Sequence, residues 1–422
     1  MPMTSEELSR VFQEDAPDFS AELCRHADSS DLAERGVQIL RAAWRRKAQN
    51  ERAADLSDAQ LLADLGLLTE GRVTNAALLL LGTPDAVRRC IPQAELVFEY
   101  RQAESNVRFQ QRLEFREGFL LYQDRLWEAI NSRNEVHHLQ AGFFVTDIPS
   151  FSEKVVREGI LNAVSHRAYR SPNSIFVRQS PQILEIVSPG GFPAGITAEN
   201  ILWRQSPRNR LLSEVLNKCG LVERSGQGVD LMFDTCIREG KPRPDFFGTD
   251  AYEVHLKLRG EIQDVSLLRF LEQVGKEKQF TFSTEDLLVL DLVHRDQRVS
   301  PELQERIPRL LSNGILERRS RARYIFSQHY YQLAGKQGEY TRKRGLNREE
   351  NKTLLLKHIR FRGTKGAPAS ELRQVLTSAD STLIRDLLQE MKRDGLIHSR
   401  GKTRAARWYP GRPPSSTIVN NN

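Results

Sequence analysis

The chain has little cysteine: 4 residues in 422, at Cys24, Cys90, Cys219 and Cys236. They are scattered, with no close pair at metal-ligand spacing, which argues against a zinc ribbon and against a disulfide-dense scaffold. Long apolar runs are lacking as well. The longest, AALLLLG at 76–82, falls far short of the roughly twenty residues that cross a bilayer, and reads as a core segment. No apolar N-terminal stretch resembles a signal peptide, so a reduced, cytoplasmic protein with no membrane contact is expected. A Walker A phosphate loop is also missing. GLIHSRGKT at 395–403 comes near, but Gly395 and Gly401 stand one residue too far apart, and a β-wing is expected there.

Charge is present but unevenly placed. From Glu261 onward Lys and Arg outnumber Asp and Glu by 30 to 19, whereas the preceding residues hold 32 against 36, within a net charge of +7. A basic part joined to a slightly acidic one suggests a polyanion-binding module attached to something with a different task. A solvated basic surface is the plainer reading of the charge alone. The length predicts several domains, each with its own core.

Residues 1 to about 35 are polar, with weak periodicity, and are expected to be partly disordered. DLAERGVQILRAAWRRK (31–47) has helical spacing, and the next stretch reads as a helix N-capped by Ser57, a turn and the apolar run. AELVFEYR (94–101) is strand-like, and YQDRLWEAIN is helical. A helix is predicted from about Ser152 to Tyr169. It is followed by two strands in SIFVRQSPQILEIVSPGG, the helices RNRLLSEVLNKCG and GVDLMFDTCIREG, and a strand in AYEVHLKL (251–258). This is an α+β pattern.

EGILNAVSHRAY (158–169) carries the chemistry. Glu158, Asn162 and His166 are spaced by four and share one helix face, and Asn is a poor interior helix residue. The carboxylate and amide of Glu158 and Asn162 suit a nucleotide with magnesium: the amide oxygen is a hard ligand, and the carboxylate can orient and deprotonate an attacking water. His166 has two readings, a polar contact to a phosphate or to Glu158, or a half-buried histidine satisfied by backbone. Ser188-Pro189-Gly190-Gly191 follows a strand, where glycines leave a ligand free to approach the backbone. Gly226-Gln227-Gly228 opens a helix, whose free N–H groups favour phosphate.

The series VREGILNAVSHRAY, LEIVSPGGFPAGIT and SPRNRLLSEVLNKCGLVERSGQGVDLM resembles the divergent GHKL ATPase domain of RecG-related, Schlafen/AlbA-linked ATP-binding proteins, over roughly Leu65 to Leu258. The resemblance implies a Bergerat α/β sandwich binding ATP and Mg, with Glu158 as general base, Asn162 as magnesium ligand, and Gly190, Gly191, Gly226 and Gly228 bordering the nucleotide. It makes 192–225 the ATP lid, with Arg208 and Asn209 reaching phosphates and Gly195 in the lid's first turn. Three departures stand out. Ser188 lies where the wider group has an adenine-reading aspartate, Arg210 replaces a proline, and the Schlafen/AlbA domain is expected to be absent before Leu65.

After Gly260 two stretches repeat an order of short helices and a terminal hairpin, the second reading as a winged helix-turn-helix. In the second, the helix from Ser381 to Lys392 would present Ser381, Thr382 and Arg385 to DNA, and Arg400, Lys402, Arg404 and Arg407 would meet phosphates. In the first, Arg318, Arg319, Arg321 and Arg323 repeat the theme, although a winged helix can also mediate protein contacts alone. The expected organisation is a helical or partly disordered segment at 1–64, the ATP-binding domain at 65–260, winged-helix modules at 261–345 and 346–412, and a disordered tail at 413–422. The function expected is an ATP-binding, ATP-hydrolysing, DNA-binding regulator whose nucleotide state modulates DNA binding, with a homodimer among the assemblies considered. The alternatives are a regulator that does not hydrolyse nucleotide and a scaffold of a defence or mobile-element system.

Overall fold

A computed structural model describes residues 17–48, 56–105, 108–141, 144–221, 227–320, 322–344, 348–376, 381–401 and 406–411. The chain divides into two compact units, Met1–Leu288 and Val289–Asn422.

Of the stretch expected to be partly disordered, residues 1–16 lie outside the described residues, and from residue 17 the chain forms a short ordered strap. Asp18 and Asp28 cap two 3-10 turns, and the strap is fastened by Cys24 N–H donating to the Val73 carbonyl and Asn75 Nδ2 donating to the Phe19 carbonyl. Polar composition misled here because the strap is held by hydrogen bonds and one aromatic stack, Phe19 on Tyr169, without an apolar face of its own. Helices α1 (Glu34–Ala48) and α2 (Asp58–Asp64) follow, the latter N-capped by Ser57 with a capping box to Gln60. A tight hairpin, β1 (Leu68–Thr69) and β2 (Arg72–Val73), leads to α3 (Asn75–Leu81), every residue of which is buried. The apolar run is therefore core. Then come α4 (Pro84–Cys90), β3 (Leu96–Tyr100), β4 (Gln111–Phe115), α5 (Phe119–Asn131) and a hairpin of β5 (Val136–Ala141) and β6 (Phe144–Pro149) that the sequence pattern did not reveal.

The site is built on the next elements: α6 (Glu153–His166), β7 (Ile175–Gln179), β8 (Ile183–Pro189), α7 (Arg210–Lys218), α8 (Gln227–Arg238) and β9 (Glu253–Arg259). Five strands form one mixed sheet in the order β4-β3-β7-β8-β9, in which only the β3–β7 pairing is parallel. Helix α6 lies on β8 and packs along α8. The approach is close because Gly159 has no side chain: a Cβ there would stand 2.9 Å from Ile186 Cδ1 and from Leu256 Cδ2. Glycine inside a helix costs roughly 1 kcal/mol against alanine, a cost this contact explains. The helix stops at His166, three residues before the predicted end. Arg167 turns to extended backbone (φ −56°, ψ 143°), and its buried guanidinium donates to the Glu95 and Asn173 carbonyls. α9 (Val265–Lys278), N-capped by Asp264, completes this unit before α10 (Thr284–His294).

In the second unit, α11 (Ile307–Ser312) runs into the hairpin β10 (Leu316–Ser320) and β11 (Arg323–Phe326), followed by α12 (Gln328–Leu333) and α13 (Gln337–Arg344). The last segment is α14 (Arg348–Arg362), β12 (Ala367–Pro368), α15 (Ala369–Val375), α16 (Ser381–Arg393), β13 (Ile397–Arg400) and β14 (Arg407–Pro410), with the strands ordered β12-β14-β13. A core of Leu355, Ile359, Leu372, Ile384, Leu387, Leu388 and Met391 joins its three helices.

One glycine C-cap recurs along the chain and is not confined to the two C-terminal stretches. After α11, Gly314 takes φ 61° and Ile315 N–H donates back to the Leu310 carbonyl; after α16, Gly395 takes φ 71° and Leu396 N–H donates to the Met391 carbonyl. The same C-cap recurs after α2, at Gly66 (φ 73°) with Leu67 N–H donating to Leu62. Leu387 is fully buried at the centre of the last core. Leu387→Ala should destabilise its segment by about 2–5 kcal/mol in chemical denaturation, whereas exposed Arg385→Ala should change stability by less than about 0.5 kcal/mol.

Candidate functional site

A cavity of about 390 Å³ opens between α6, the end of β8, the segment 192–217 and α8. One wall is apolar: Ile186, Phe192, Met232, Phe246, Val254 and Leu256 line it. The opposite end carries polar groups from α6 and α7.

Glu158 is buried, and Asn162 Nδ2 donates to its Oε1 at 3.0 Å. That bond orients the carboxylate and turns the amide oxygen Oδ1 away from it. The carboxylate also lies against the first turn of α8, where a Cβ on Gly228 would fall 1.8 Å from Glu158 Oε1. Gly228 is thus required to let the helix end reach Glu158, and the positive end of the α8 dipole faces a carboxylate taken out of water. Gly226 lies outside the described residues.

His166 also lines the cavity, and its Nδ1 is buried with no hydrogen-bond partner among the described residues. Burial, with the nearby Arg208 guanidinium adding to it, pushes its pKa down to about 4, so the ring is neutral at pH 7. Ser165 Oγ and Ser213 Oγ, on two further cavity residues, are likewise buried and unpartnered. Sequence reasoning passed over Ser165 and Ser213, because an isolated serine on a helix carries no local signal.

Ser188 Oγ donates to the Ala163 carbonyl at 3.1 Å and lines the cavity. Gly190 and Gly191 line it too, but the space their missing side chains leave is filled by the protein itself. A Cβ on Gly190, which has φ +90°, would meet Ala168 Cβ at 2.5 Å, and one on Gly191 would meet the Asp250 carbonyl oxygen at 2.3 Å. These glycines let β8 turn sharply past the loop before β9.

Arg208 and Asn209 occupy another place than the expected one. Arg208 donates through Nη1 to the His166 carbonyl (2.7 Å) and through Nη2 to the Gly191 carbonyl (2.8 Å). Asn209 Nδ2 donates to the Ser165 and Arg167 carbonyls, both at 2.9 Å. Neither side chain lines the cavity; both brace the start of α7 against the C-terminal end of α6. The cations that do line it are Arg204 and Arg210, both exposed. Gly195 takes φ +76° and its carbonyl accepts from Asn200 Nδ2, which gives that glycine a conformational role.

Comparison with known proteins agrees with this architecture. Residues 173–258 match the family model described as "Putative ATP-dependent DNA helicase recG C-terminal". That segment is similar to RecG-related ATPases. Residues 8–97 match a domain of unknown function, DUF8451. No curated protein matches the chain. Among solved structures, the DIP2311 protein from Corynebacterium diphtheriae superposes with a TM-score of 0.61 over 80% of this chain and 70% of that one, at 22% identity, which bears out the α+β fold. No helix among the described residues is long and apolar enough to cross a membrane.

His166 gives a pH prediction. Its folded pKa lies below that of the unfolded chain, so between pH 6.5 and 4 the unfolded state binds more protons and stability falls as pH falls. Above pH 6.5 the effect vanishes. The loss should reach roughly 3 kcal/mol near pH 4. His166→Gln should flatten this part of the denaturation-versus-pH curve, and an unchanged slope would contradict the assignment.

Proposed function

We propose that the protein binds ATP in this cavity, hydrolyses it with magnesium, and uses the nucleotide state to modulate binding of its basic C-terminal segment to DNA. The observation that carries the nucleotide reading is the Glu158–Asn162 pair, hydrogen-bonded and held at the N-terminus of α8 in a cavity with one apolar wall. A flat aromatic base suits that wall, and the arginines Arg204 and Arg210 at the lid suit a phosphate tail.

Among the described residues no three acidic, His or Cys side chains gather to hold a metal by themselves. The donor set nevertheless fits magnesium, which is commonly held by one or two protein oxygens together with substrate phosphates and water. Asn162 Oδ1 would hold it, and when bound it would neutralise charge on the transferred phosphoryl oxygens. Glu158 orients a water and accepts its proton. Asn162 fixes the carboxylate rotamer through Nδ2, and Arg204 and Arg210 stabilise charge at the phosphate end.

The DNA reading rests on α14–α16 and the strands β13 and β14, an order that supports reading this segment as a winged helix. Helix α16 buries Ile384, Leu387, Leu388 and Met391 and leaves Ser381, Thr382 and Arg385 exposed. Arg400 is exposed over the Tyr409 ring, and Arg407, also exposed, donates to the Lys365 carbonyl. Lys402 and Arg404 lie outside the described residues. In the first hairpin Arg318 and Arg323 are exposed, Arg321 lies outside the described residues, and Arg319 is half-buried and pairs with Asp296 at 3.7 Å, so it is the weakest candidate of that group.

A phosphate-release assay tests the enzyme. Glu158→Gln should lower magnesium-dependent turnover by at least a hundredfold with nucleotide still bound, and Asn162→Ala should remove the magnesium dependence of binding. Binding without turnover in the wild type would leave the non-hydrolysing regulator. DNA affinity by fluorescence anisotropy should fall steeply with salt, and Arg385→Ala should weaken it and flatten the salt slope by about one.

A further inference from the structure

The strap and α4 meet at two cysteines that the nucleotide chemistry does not use. Leu23 bridges to Thr74, and the Cys24 N–H donates to the Val73 carbonyl, which fixes the backbone on one side. On the other side the last turn of α4 sits on strap residues 26–31. Cys90 Sγ approaches the His26 carbonyl at 3.5 Å, while Arg89 Nη2 reaches the same carbonyl at 3.4 Å and pairs with Asp31 at 2.6 Å. Cys24 lies two residues before His26, whose carbonyl the Cys90 thiol meets, and it stands close enough to Cys90 to raise that thiol's pKa. Both are half-buried, so a small reagent can reach them, whereas Cys219 and Cys236 are buried. Burial and the neighbouring Cys24 push the Cys90 thiol's pKa up, and the adjacent Arg89 guanidinium works against that shift by favouring the thiolate.

We propose that Cys24 and Cys90 form a reversible disulfide that fastens the strap to α4. The oxidant is a small aliphatic disulfide such as oxidised glutathione. One cysteine thiolate attacks it, forming a mixed disulfide and releasing one thiolate; the second cysteine thiolate attacks the mixed disulfide and releases the other. Two protein thiols are oxidised, one glutathione disulfide is reduced to two thiols, and the two protein protons pass to the leaving thiolates.

The bond has a structural consequence because the same strap caps the lid helix. Leu211 N–H donates to Asp18 Oδ2 at 2.9 Å and Leu212 N–H donates to Ser20 Oγ at 3.2 Å, so residues near the chain start satisfy the first turn of α7. Helix α7 supplies Arg210 and Ser213 to the cavity. Fastening Cys24 to Cys90 holds that cap in place and makes the lid helix harder to open.

The test is redox titration of the full chain against a glutathione buffer. Thiol counting in denaturant should fall from 4 to 2, with a mass loss of two hydrogens, and peptide mapping should place the bond at Cys24–Cys90. Cys24→Ser and Cys90→Ser should each abolish it, and dithiothreitol should restore all thiols. Hydrogen exchange at the Leu211 and Leu212 amides should slow at least threefold on oxidation in wild type and not in Cys24→Ser. A full thiol count under oxidising conditions, a stable glutathione adduct without closure, or a bond to Cys219 or Cys236 would each overturn the pairing. A formed bond with unchanged exchange would overturn its link to the lid. None of these readouts depends on nucleotide binding.

Discussion

The site depends on one close approach, the contact of α6 with the sheet beneath and with α8 beside it. Two missing side chains make it possible. Gly159 lets the helix settle onto Ile186 and Leu256, and Gly228 lets the first turn of α8 come up to the Glu158 carboxylate. A buried carboxylate without compensation is costly, and this one has compensation from the Asn162 amide and from a helix N-terminus. The arrangement fixes the angle of a buried carboxylate, as the general-base role proposed for Glu158 would need. Glycine, glutamate and asparagine in this helix are therefore parts of one device.

How much of this was legible in the sequence follows from the kind of signal each feature carries. The four-residue spacing of Glu158, Asn162 and His166 places them on one helix face by geometry alone, and all three line the cavity. Strands β7, β8 and β9 were readable because β-branched and aromatic residues alternate between clear turns. The hairpin β5–β6 was not, since EVHHLQAGFFVTDIP mixes polar and apolar residues without a period. The strap escaped for a related reason: its order comes from tertiary hydrogen bonds to residues 73, 75 and 211, and no local pattern encodes a partner almost two hundred positions away.

The glycines show a subtler gap between sequence and structure. A glycine pair after a strand suggests a backbone left open for a ligand, yet Gly190 and Gly191 are small because Ala168, Arg208 and the 250–251 backbone press against them. Sequence shows that space is needed and leaves open who fills it. The arginine–asparagine pair in the lid follows the same logic. Arg208 and Asn209 are polar and adjacent to the site, but unsatisfied carbonyls at the end of α6 were nearer and fixed, and a helix C-terminus is a natural seat for a cation.

That bracing has electrostatic effects on the cavity. Arg208 sits at the negative end of the α6 dipole and beside His166, where it helps keep the imidazole neutral, while Asn209 closes the carbonyls that flank it. The segment 192–217 is thereby tied to the last turn of the helix whose earlier turns carry Glu158 and Asn162. Displacing that segment would break carbonyl contacts at one end of α6, and displacing α7 would break its cap from the strap. The segment, the strap and the His166 end of α6 are consequently linked through short hydrogen bonds. Releasing either set would leave backbone groups unpaired, which opposes independent displacement of one part alone.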